Sequence, residues 1–181
     1  LRIGLPAATQ ILLEISAFGT AAFLAGRLAP VALAAHQIAI SVAAFSYMIP
    51  LGISSAAAVT VGHAIGAREW VTARRRGFIA IGVGVVAALS AAVLFLTCPL
   101  AILRIYTRDS AILAVAVKLL ALAAAFQLFD SVQTVTTGAL RGLGNTHAAM
   151  LINLGGYWLL GLPVGWLLCF RRAWAETVTD A

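Results

Sequence analysis

Charged residues are scarce in this sequence and absent from long stretches of it. Only 10% of the 181 residues are charged, whereas soluble domains have about 25%. No Asp, Glu, Lys or Arg lies between Arg27 and Arg68, or between Arg76 and Arg104. A water-facing surface needs many charged groups, so this composition excludes an ordinary soluble globular domain.

Cysteine and histidine, which are common metal ligands, are also few. Cys98 and Cys169 stand alone in the sequence, so they indicate neither a disulfide framework nor a metal knuckle. His36, His63 and His147 are far apart, and the sequence contains no HExxH motif. We therefore expect no resident metal or cofactor.

Basic residues outnumber acidic ones by 12 to 6, yet their distribution does not favour a nucleic-acid partner. The arginines cluster at the ends of apolar runs, which is typical of loops that face anionic lipid headgroups. They do not form a basic patch interleaved with aromatic residues, as phosphate-binding surfaces do. The densest cluster, Arg74-Arg75-Arg76, favours its own side of the membrane as the cytoplasmic one.

Apolar sequence is abundant: 62% of the residues are hydrophobic and the mean hydropathy is +1.03. A helix needs about 20 apolar residues to cross about 30 Å of hydrocarbon, and the charge-free stretches are long enough for this. Runs of this length favour helices over membrane-spanning strands, which need only about 9–11 alternating residues. We predict an all-α, polytopic transmembrane helix bundle with spans at about 5–26, 34–66, 77–101, 110–140 and 147–169.

Local signals add detail to these spans. The second span is too long for one straight crossing and contains Pro50 near its middle. Proline removes a backbone hydrogen bond and bends a helix, so we favour one kinked helix over a re-entrant pair. Asp109 or Ser110 is placed to cap the helix that follows. Three pairs of glycines have the spacing that favours close helix packing: Gly62/Gly66, Gly138/Gly142 and Gly161/Gly165.

Two acids lie in the middle of apolar runs, where an ionised carboxylate costs several kcal/mol or more. Asp130 shares a helix face with other polar residues, because i, i+3, i+7 and i+10 positions line up. That face comprises Gln127, Asp130, Thr134 and Thr137, with Gln133 and Thr136 beside it. Glu14 has a similar setting, with Gln10 one turn before it.

These two carboxylates have two interpretations. They could form hydrogen bonds that hold helices together, each worth about 0.6–2 kcal/mol. Alternatively, they could line an aqueous cavity, where a carboxylate loads and releases a proton or, with neutral oxygens, holds a dehydrated cation. Because both acids lie near mid-span and could reach the same depth, we favour the cation or proton site.

Three segments resemble a known family. They are "LPAATQILLEISAF", "LAGRLAPVALAAHQIAISVAAFSYMIPLGISSAAAVTVGHAIGA" and "FQLFDSVQTVTTGALRGLGNT". All three are similar to the multidrug and toxic compound extrusion (MATE) transporters, in their C-terminal lobe. The resemblance covers nearly the whole chain, to about residue 168, and implies a C-terminal transmembrane lobe over residues 1–170.

The resemblance also implies a function. Members of the family are antiporters rather than enzymes, and they export cationic drugs or toxins in exchange for H⁺ or Na⁺ by alternating access. An N-terminal lobe of the same transporter would be the partner of this chain, and the location would be the bacterial cytoplasmic membrane. The polar tail at 171–181 does not resemble the lobe's last helix, which suggests a truncated or aberrant end.

Individual residues are carried over in the same way. Glu14 and Asp130 correspond to the cation-coupling acids, and both would be metal ligands if the coupling ion is Na⁺. Phe126 stands where Na⁺-coupled members often have a tyrosine, which favours H⁺. Residues expected to contact the substrate or line its cavity are Gln37 (in the turn that enters the second helix), Tyr47, Asp109, Phe126, Gln127 and Thr134.

Other functions stay open at this point. A flippase for lipids or lipid-linked oligosaccharides belongs to the same superfamily, but such proteins tend to line their cavity with arginines, and this chain has mid-span acids instead. An intramembrane hydrolase could also use paired carboxylates, although no protease motif surrounds either acid. The chain could also be a fragment that is inactive without its partner lobe.

Overall fold

The computed structural model of this chain describes residues 4–25, 30–145, 147, 150, 151 and 155. Within the first helix, the side chains of Gln10 and Glu14 lie outside the described part. The predicted span at about 147–169 and the tail at 171–181 also lie almost entirely outside it, as do Gly161 and Gly165. All regular secondary structure in the described residues is helical, which confirms the all-α prediction.

The helices follow one another with short connections. Three of them, α2, α3 and α5, are long and apolar enough to cross a membrane. This agrees with a polytopic bundle, because each exceeds the roughly 20 residues that a crossing requires. The helices are α1 (Gly4–Ala25), α2 (Pro30–Gly66), α3 (Trp70–Thr97), α4 (Pro99–Leu103) and α5 (Ser110–Gly142).

Helix α2 is one continuous helix with Pro50 inside it, as favoured over a re-entrant pair. Pro50 is fully buried. It has no N–H, so it cannot donate the usual helical bond to the carbonyl oxygen of Ser46, four residues earlier. The helix begins at Pro30, four residues before the predicted start. Proline is favoured at the first position of a helix, because the N–H groups of the first turn have no partner within the helix.

The third predicted span, 77–101, differs from the structure at both ends. The helix begins at Trp70 because Arg74, Arg75 and Arg76 are good helix formers, although hydropathy does not mark them. It ends at Thr97, and Pro99 starts the separate short helix α4. Proline at this position cannot continue the hydrogen-bond ladder of α3.

Helix α5 has well-defined ends. The Asp109 carboxylate accepts a hydrogen bond of 2.8 Å from the Ala111 N–H, so Asp109 rather than Ser110 caps the helix. After Gly142, the chain turns through Gly144, whose φ of +76° lies in the left-handed region that glycine adopts without a steric penalty. The predicted cap is confirmed, and the observed helix extends two residues beyond the predicted end.

The chain divides into two compact units, residues 1–21 with 146–181 and residues 22–145. In the first unit, the described residues include residues 4–21 of α1, where the Thr20 hydroxyl donates to the Ser16 carbonyl oxygen within the helix. In the second unit, α2, α3 and α5 pack against one another and α4 covers one end of α3 and α5.

Two apolar cores hold the second unit together. The core at the α4 end, here called the α4-end core, consists of Ala35, Val42, Ala92, Phe95, Leu103, Ala116, Leu120 and Ala124. The core at the opposite end, next to the arginine cluster, is called the basic-end core. It consists of Val61, Ala64 and Ala73, with Ile65 and Ala139 packed against it.

Glycines allow α2 and α5 to approach closely. A Cβ added to Gly138 would lie 2.2 Å from the Ser54 carbonyl oxygen, and one added to Gly142 would lie 2.6 Å from the Ala58 carbonyl oxygen. Gly62 faces Gly142, so the predicted packing role of these three glycines is confirmed. The same prediction is wrong for Gly66, where an added Cβ would meet nothing within 4 Å, because it lies at the exposed end of α2.

Candidate functional site

A group of buried polar side chains lies in the second unit between the α4-end core and the basic-end core. Serine, threonine and glutamine hydroxyl and amide groups make up most of it, together with one carboxylate. Its members all lie on α2 or α5, and all are at most 9% exposed. We call this group the polar layer: Ser54, Gln127, Asp130, Ser131, Thr134 and Thr137.

The polar layer extends about 15 Å along α5, from Gln127 to Thr137. The end of α5 meets α2 one turn before the end of α2, since a Cβ on Gly62 would lie 3.5 Å from the Gly142 carbonyl oxygen. At 1.5 Å per residue, Asp130 lies about 18 Å from the end of α5, whereas Ser54 is opposite Gly138, about 12 Å nearer that end. In a hydrocarbon layer of about 30 Å, the depth of Asp130 corresponds to the membrane interior.

Three hydrogen bonds connect α5 to its neighbours in this layer. The Ser54 hydroxyl donates to the Thr134 carbonyl oxygen over 2.8 Å. The Ser131 hydroxyl donates to the Gly84 carbonyl oxygen of α3 over 2.9 Å. The Thr134 hydroxyl donates to the Tyr47 hydroxyl over 3.2 Å. The turn of α5 that carries Asp130 is therefore fixed to both α2 and α3.

Asp130 is 7% exposed and lies about 100° around α5 from Ser131. Consecutive helix residues are rotated by about 100°, and Ser131, the next residue, faces α3. Thr134 and Thr137 lie one and two turns further along on Asp130's side of the helix. Asp130 interacts with neighbouring groups, and the polar side chains that share its face are neutral.

The three long helices contain few permanent positive charges at this depth. Helix α2 has no Lys or Arg, α3 has none after Arg76, and α5 has none between Lys118 and Arg141. Among the residues that the structure describes, no three or more His, Cys, Asp or Glu come together as a metal site.

Comparison with known proteins gives the family. The MatE family profile matches residues 6–167. The chain belongs to the MatE family. The "Multidrug resistance protein NorM" of Burkholderia vietnamiensis is 42% identical over 174 residues, which cover 93% of this chain and 38% of that protein. The "Probable multidrug resistance protein NorM" of Pseudomonas aeruginosa is 40% identical over 179 residues, covering 96% of this chain and 37% of that protein.

Membership in the MatE family confirms the resemblance found in the sequence. Together with the three long apolar helices, it makes this chain a multi-pass protein of the plasma membrane. The chain spans about 38% of the length of the curated relatives it matches. It therefore corresponds to one part of a MatE protein.

Several of the residues that the sequence analysis predicted to bind a cation or substrate lie close together in the structure. Gln127, Asp130 and Thr134 are buried in the polar layer, and the half-buried Tyr47 bonds to Thr134. Phe126 lies one turn before Asp130 and is 45% exposed, so it borders the layer instead of joining it. Their roles toward a cation or substrate stay predictions.

Two other residues predicted for the site, Gln37 and Asp109, lie outside this layer. Gln37 lies inside α2 and not in a turn before it, because the helix starts at Pro30; it is exposed, about 15 Å along the axis from Tyr47. Asp109 is exposed at the start of α5, about 30 Å from Asp130. Glu14 belongs to α1, and its side chain is outside the described residues.

The sequence interpretation missed two members of the layer, Ser54 and Ser131. Ser131 follows Asp130 directly and shares a face with Gln127 and Thr134, so an i, i+4 pattern would have found it. Ser54 has no such local signal. Its partner Thr134 is 80 residues away in the sequence, and only the close packing at Gly138 brings the two together.

Ser54 offers a direct test of the α2–α5 connection, because its neighbour is a matched control. Ser54→Ala removes the hydroxyl that bonds to α5 and should lower the free energy of unfolding by about 0.6–1.7 kcal/mol. Ser55 is exposed and bonds only within its own helix, to the Leu51 carbonyl oxygen, so Ser55→Ala should leave stability unchanged. Detergent-denaturation curves of the purified protein in its native length measure both. Equal stability of the two variants would contradict the connection.

Proposed function

We propose that this chain is the C-terminal part of a MatE antiporter that exports organic cations in exchange for a coupling cation. The observation that carries this proposal is Asp130, a carboxylate buried at mid-membrane depth among neutral hydroxyl and amide groups. The names of the relatives, which contain "multidrug resistance protein", support drugs or other toxic compounds as the exported class. Neither catalysis nor an enzymatic active site forms part of the proposal.

In this mechanism, Asp130 alternates between two charge states. A coupling ion that reaches it from outside neutralises the carboxylate, which makes burial in the low-dielectric interior favourable. Release of that ion to the inside restores the negative charge, which attracts and binds a cationic substrate. Exchange follows because the two ligands stabilise different states of the protein, and each shifts the equilibrium only by its differential affinity.

The neighbours of Asp130 have supporting roles in the proposal. Thr134 and Tyr47 form a hydrogen-bonded pair of hydroxyls that can rotate to offer a lone pair to a cation or a donor to a carboxylate. Gln127 supplies an amide on the same face. Ser54 and Ser131 act on the backbone of α5 and keep the turn in place. In the proposed mechanism, a second lobe outside this chain would complete the substrate cavity.

We further propose H⁺ as the coupling ion. The Phe126 side chain, one turn before Asp130, contains no oxygen, whereas a tyrosine at this position would offer a hydroxyl. This turn therefore offers a dehydrated Na⁺ one oxygen ligand fewer than it would with tyrosine. A proton needs only the carboxylate. An anionic cargo such as a lipid-linked sugar fits this site less well than a cation does. At mid-depth, α5 carries the acid Asp130, and none of α2, α3 and α5 carries an arginine there.

The coupling can be tested by measuring export of a fluorescent organic cation from cells or vesicles that contain the protein in its native length. Collapse of the pH gradient should stop the export, whereas collapse of the Na⁺ gradient alone should not. Export that depends only on the Na⁺ gradient would overturn the choice of H⁺ and leave the antiporter intact. Export that continues with both gradients collapsed would overturn antiport itself.

A further inference from the structure

A cleft opens between α2, α3 and α5 beside the basic-end core, with a volume of about 230 Å³. Its walls are apolar except for one charged side chain, Arg74. The walls include Val61 from α2, Trp70, Phe78 and Ile81 from α3, and Ala139 from α5. None of these residues belongs to the polar layer.

The cleft runs along the membrane normal from its edge inward. Trp70, the first residue of α3, is 66% exposed, as expected for an aromatic residue at the membrane–water interface. Ile81 lies about 8 Å further along the helix than Arg76, the last charged residue of α3, which places it at the level of the acyl chains. The cleft therefore has a mouth at headgroup level and an apolar interior at acyl-chain level.

The charge at the mouth is predominantly positive. Arg74, Arg75 and Arg76 form the densest basic cluster of the sequence, and the turn before α3 adds Arg68 against a single acid, Glu69. The Arg74 guanidinium lies 5.7 Å from the centre of the Phe78 ring, so it is held over the cleft. Arg76 instead donates to the Thr60 carbonyl oxygen. Arg74 is thus the arginine presented to a ligand in the cleft.

We propose that this cleft binds an anionic phospholipid of the surrounding bilayer. The phosphate would pair with the Arg74 guanidinium, whose planar donors match phosphate oxygens, and one acyl chain would lie along Phe78 and Ile81. Basic pockets between transmembrane helices are known recognition sites for anionic headgroups. An organic cation, the proposed cargo of the polar layer, would be repelled by Arg74, so this site serves a different ligand.

Arg75 provides the matched control for the test. It is exposed and carries the same charge one residue further on, but it does not line the cleft. Native mass spectrometry of the purified protein in its native length, titrated with phosphatidylglycerol or phosphatidylcholine, counts bound lipids. Arg74→Gln should weaken phosphatidylglycerol binding about fivefold, Arg75→Gln should leave it unchanged, and Arg74→Lys should keep most of it because a point charge remains.

Three outcomes of these measurements would contradict the proposal. Equal losses in Arg74→Gln and Arg75→Gln would show a diffuse surface charge and overturn the site. Phosphatidylcholine binding as tight as phosphatidylglycerol binding would overturn the headgroup assignment. Glycerol 3-phosphate, which has the phosphate without acyl chains, should not compete; competition by it would show a site for free phosphate rather than lipid. If Arg74→Gln does not fold, the comparison of phosphatidylglycerol with phosphatidylcholine and the competition by glycerol 3-phosphate still decide.

Discussion

Asp130→Asn is expected to reduce cation-coupled efflux to the background of cells that lack the protein, while the protein still inserts into the membrane. Asparagine has nearly the same shape as aspartate, and it keeps a carbonyl oxygen for hydrogen bonding. It cannot take up or release a proton at physiological pH, and it carries no charge to bind a cation. The substitution therefore removes the charge change and leaves the packing of the polar layer in place.

The stability of the variant separates this effect from misfolding. A buried ionised carboxylate is costly in the membrane interior, so its neutral amide replacement should be at least as stable as the wild type. Expression, insertion and the detergent-denaturation midpoint should therefore be unchanged or higher, even though efflux is lost. A loss of both efflux and insertion would indicate a structural role instead.

Glu69→Gln is the matched control for this experiment. Glu69 is an exposed carboxylate in the turn before α3, and its side chain forms no capping hydrogen bond there. The same acid-to-amide change at this position should leave efflux at the wild-type level. The efflux of a fluorescent cation is measured for the wild type, Asp130→Asn and Glu69→Gln, with equal amounts of inserted protein. Wild-type efflux by Asp130→Asn would refute the assignment of Asp130.

Gly138→Ala is expected to lower the free energy of unfolding by about 3 kcal/mol, at the upper end of the usual range for overpacking. The added Cβ would lie 2.2 Å from the Ser54 carbonyl oxygen and 2.4 Å from the Ser54 hydroxyl. The backbone atoms of α2 cannot rotate away, so the two helices must separate. Separation would also break the bond between Ser54 and Thr134.

The control for Gly138→Ala is Gly52→Ala, on the partner helix. Gly52 is exposed, and a Cβ there would meet no atom within 4 Å. Because alanine favours a helix over glycine by about 1 kcal/mol, this variant should be as stable as the wild type or slightly more so. Denaturation of the purified protein measures both variants. If Gly138→Ala unfolds at the same denaturant concentration as Gly52→Ala, the close contact between α2 and α5 does not exist as described.

The parts of the fold that follow from local chemistry could be predicted from the sequence. Apolar length predicted the long helices, since a membrane crossing sets a minimum. The spacing of Gln127, Asp130 and Thr134 predicted one buried face, since helix geometry places such positions together. The cap at Asp109 followed in the same way from the preference of aspartate for that position.

Other features depend on contacts between distant segments, and the sequence does not encode these locally. Ser54 joins the polar layer only because Gly138 allows α5 to come close. The start of α3 at Trp70 was missed because hydropathy marks the part of a helix inside the membrane and not the exposed arginine turns beyond it. The position of Glu14 relative to Asp130 stays a prediction.

The proline in α2 has a mechanical consequence. The N-terminal half of the helix contributes Ala35 and Val42 to one core, and the C-terminal half contributes Val61 and Ala64 to the other. Pro50 lies between these halves, one turn before Ser54, and the Ser46 carbonyl there lacks a helical donor. The backbone of α2 is consequently least stiff at about the depth of Asp130, so each half can tilt with its own core while the rest of the helix stays wound.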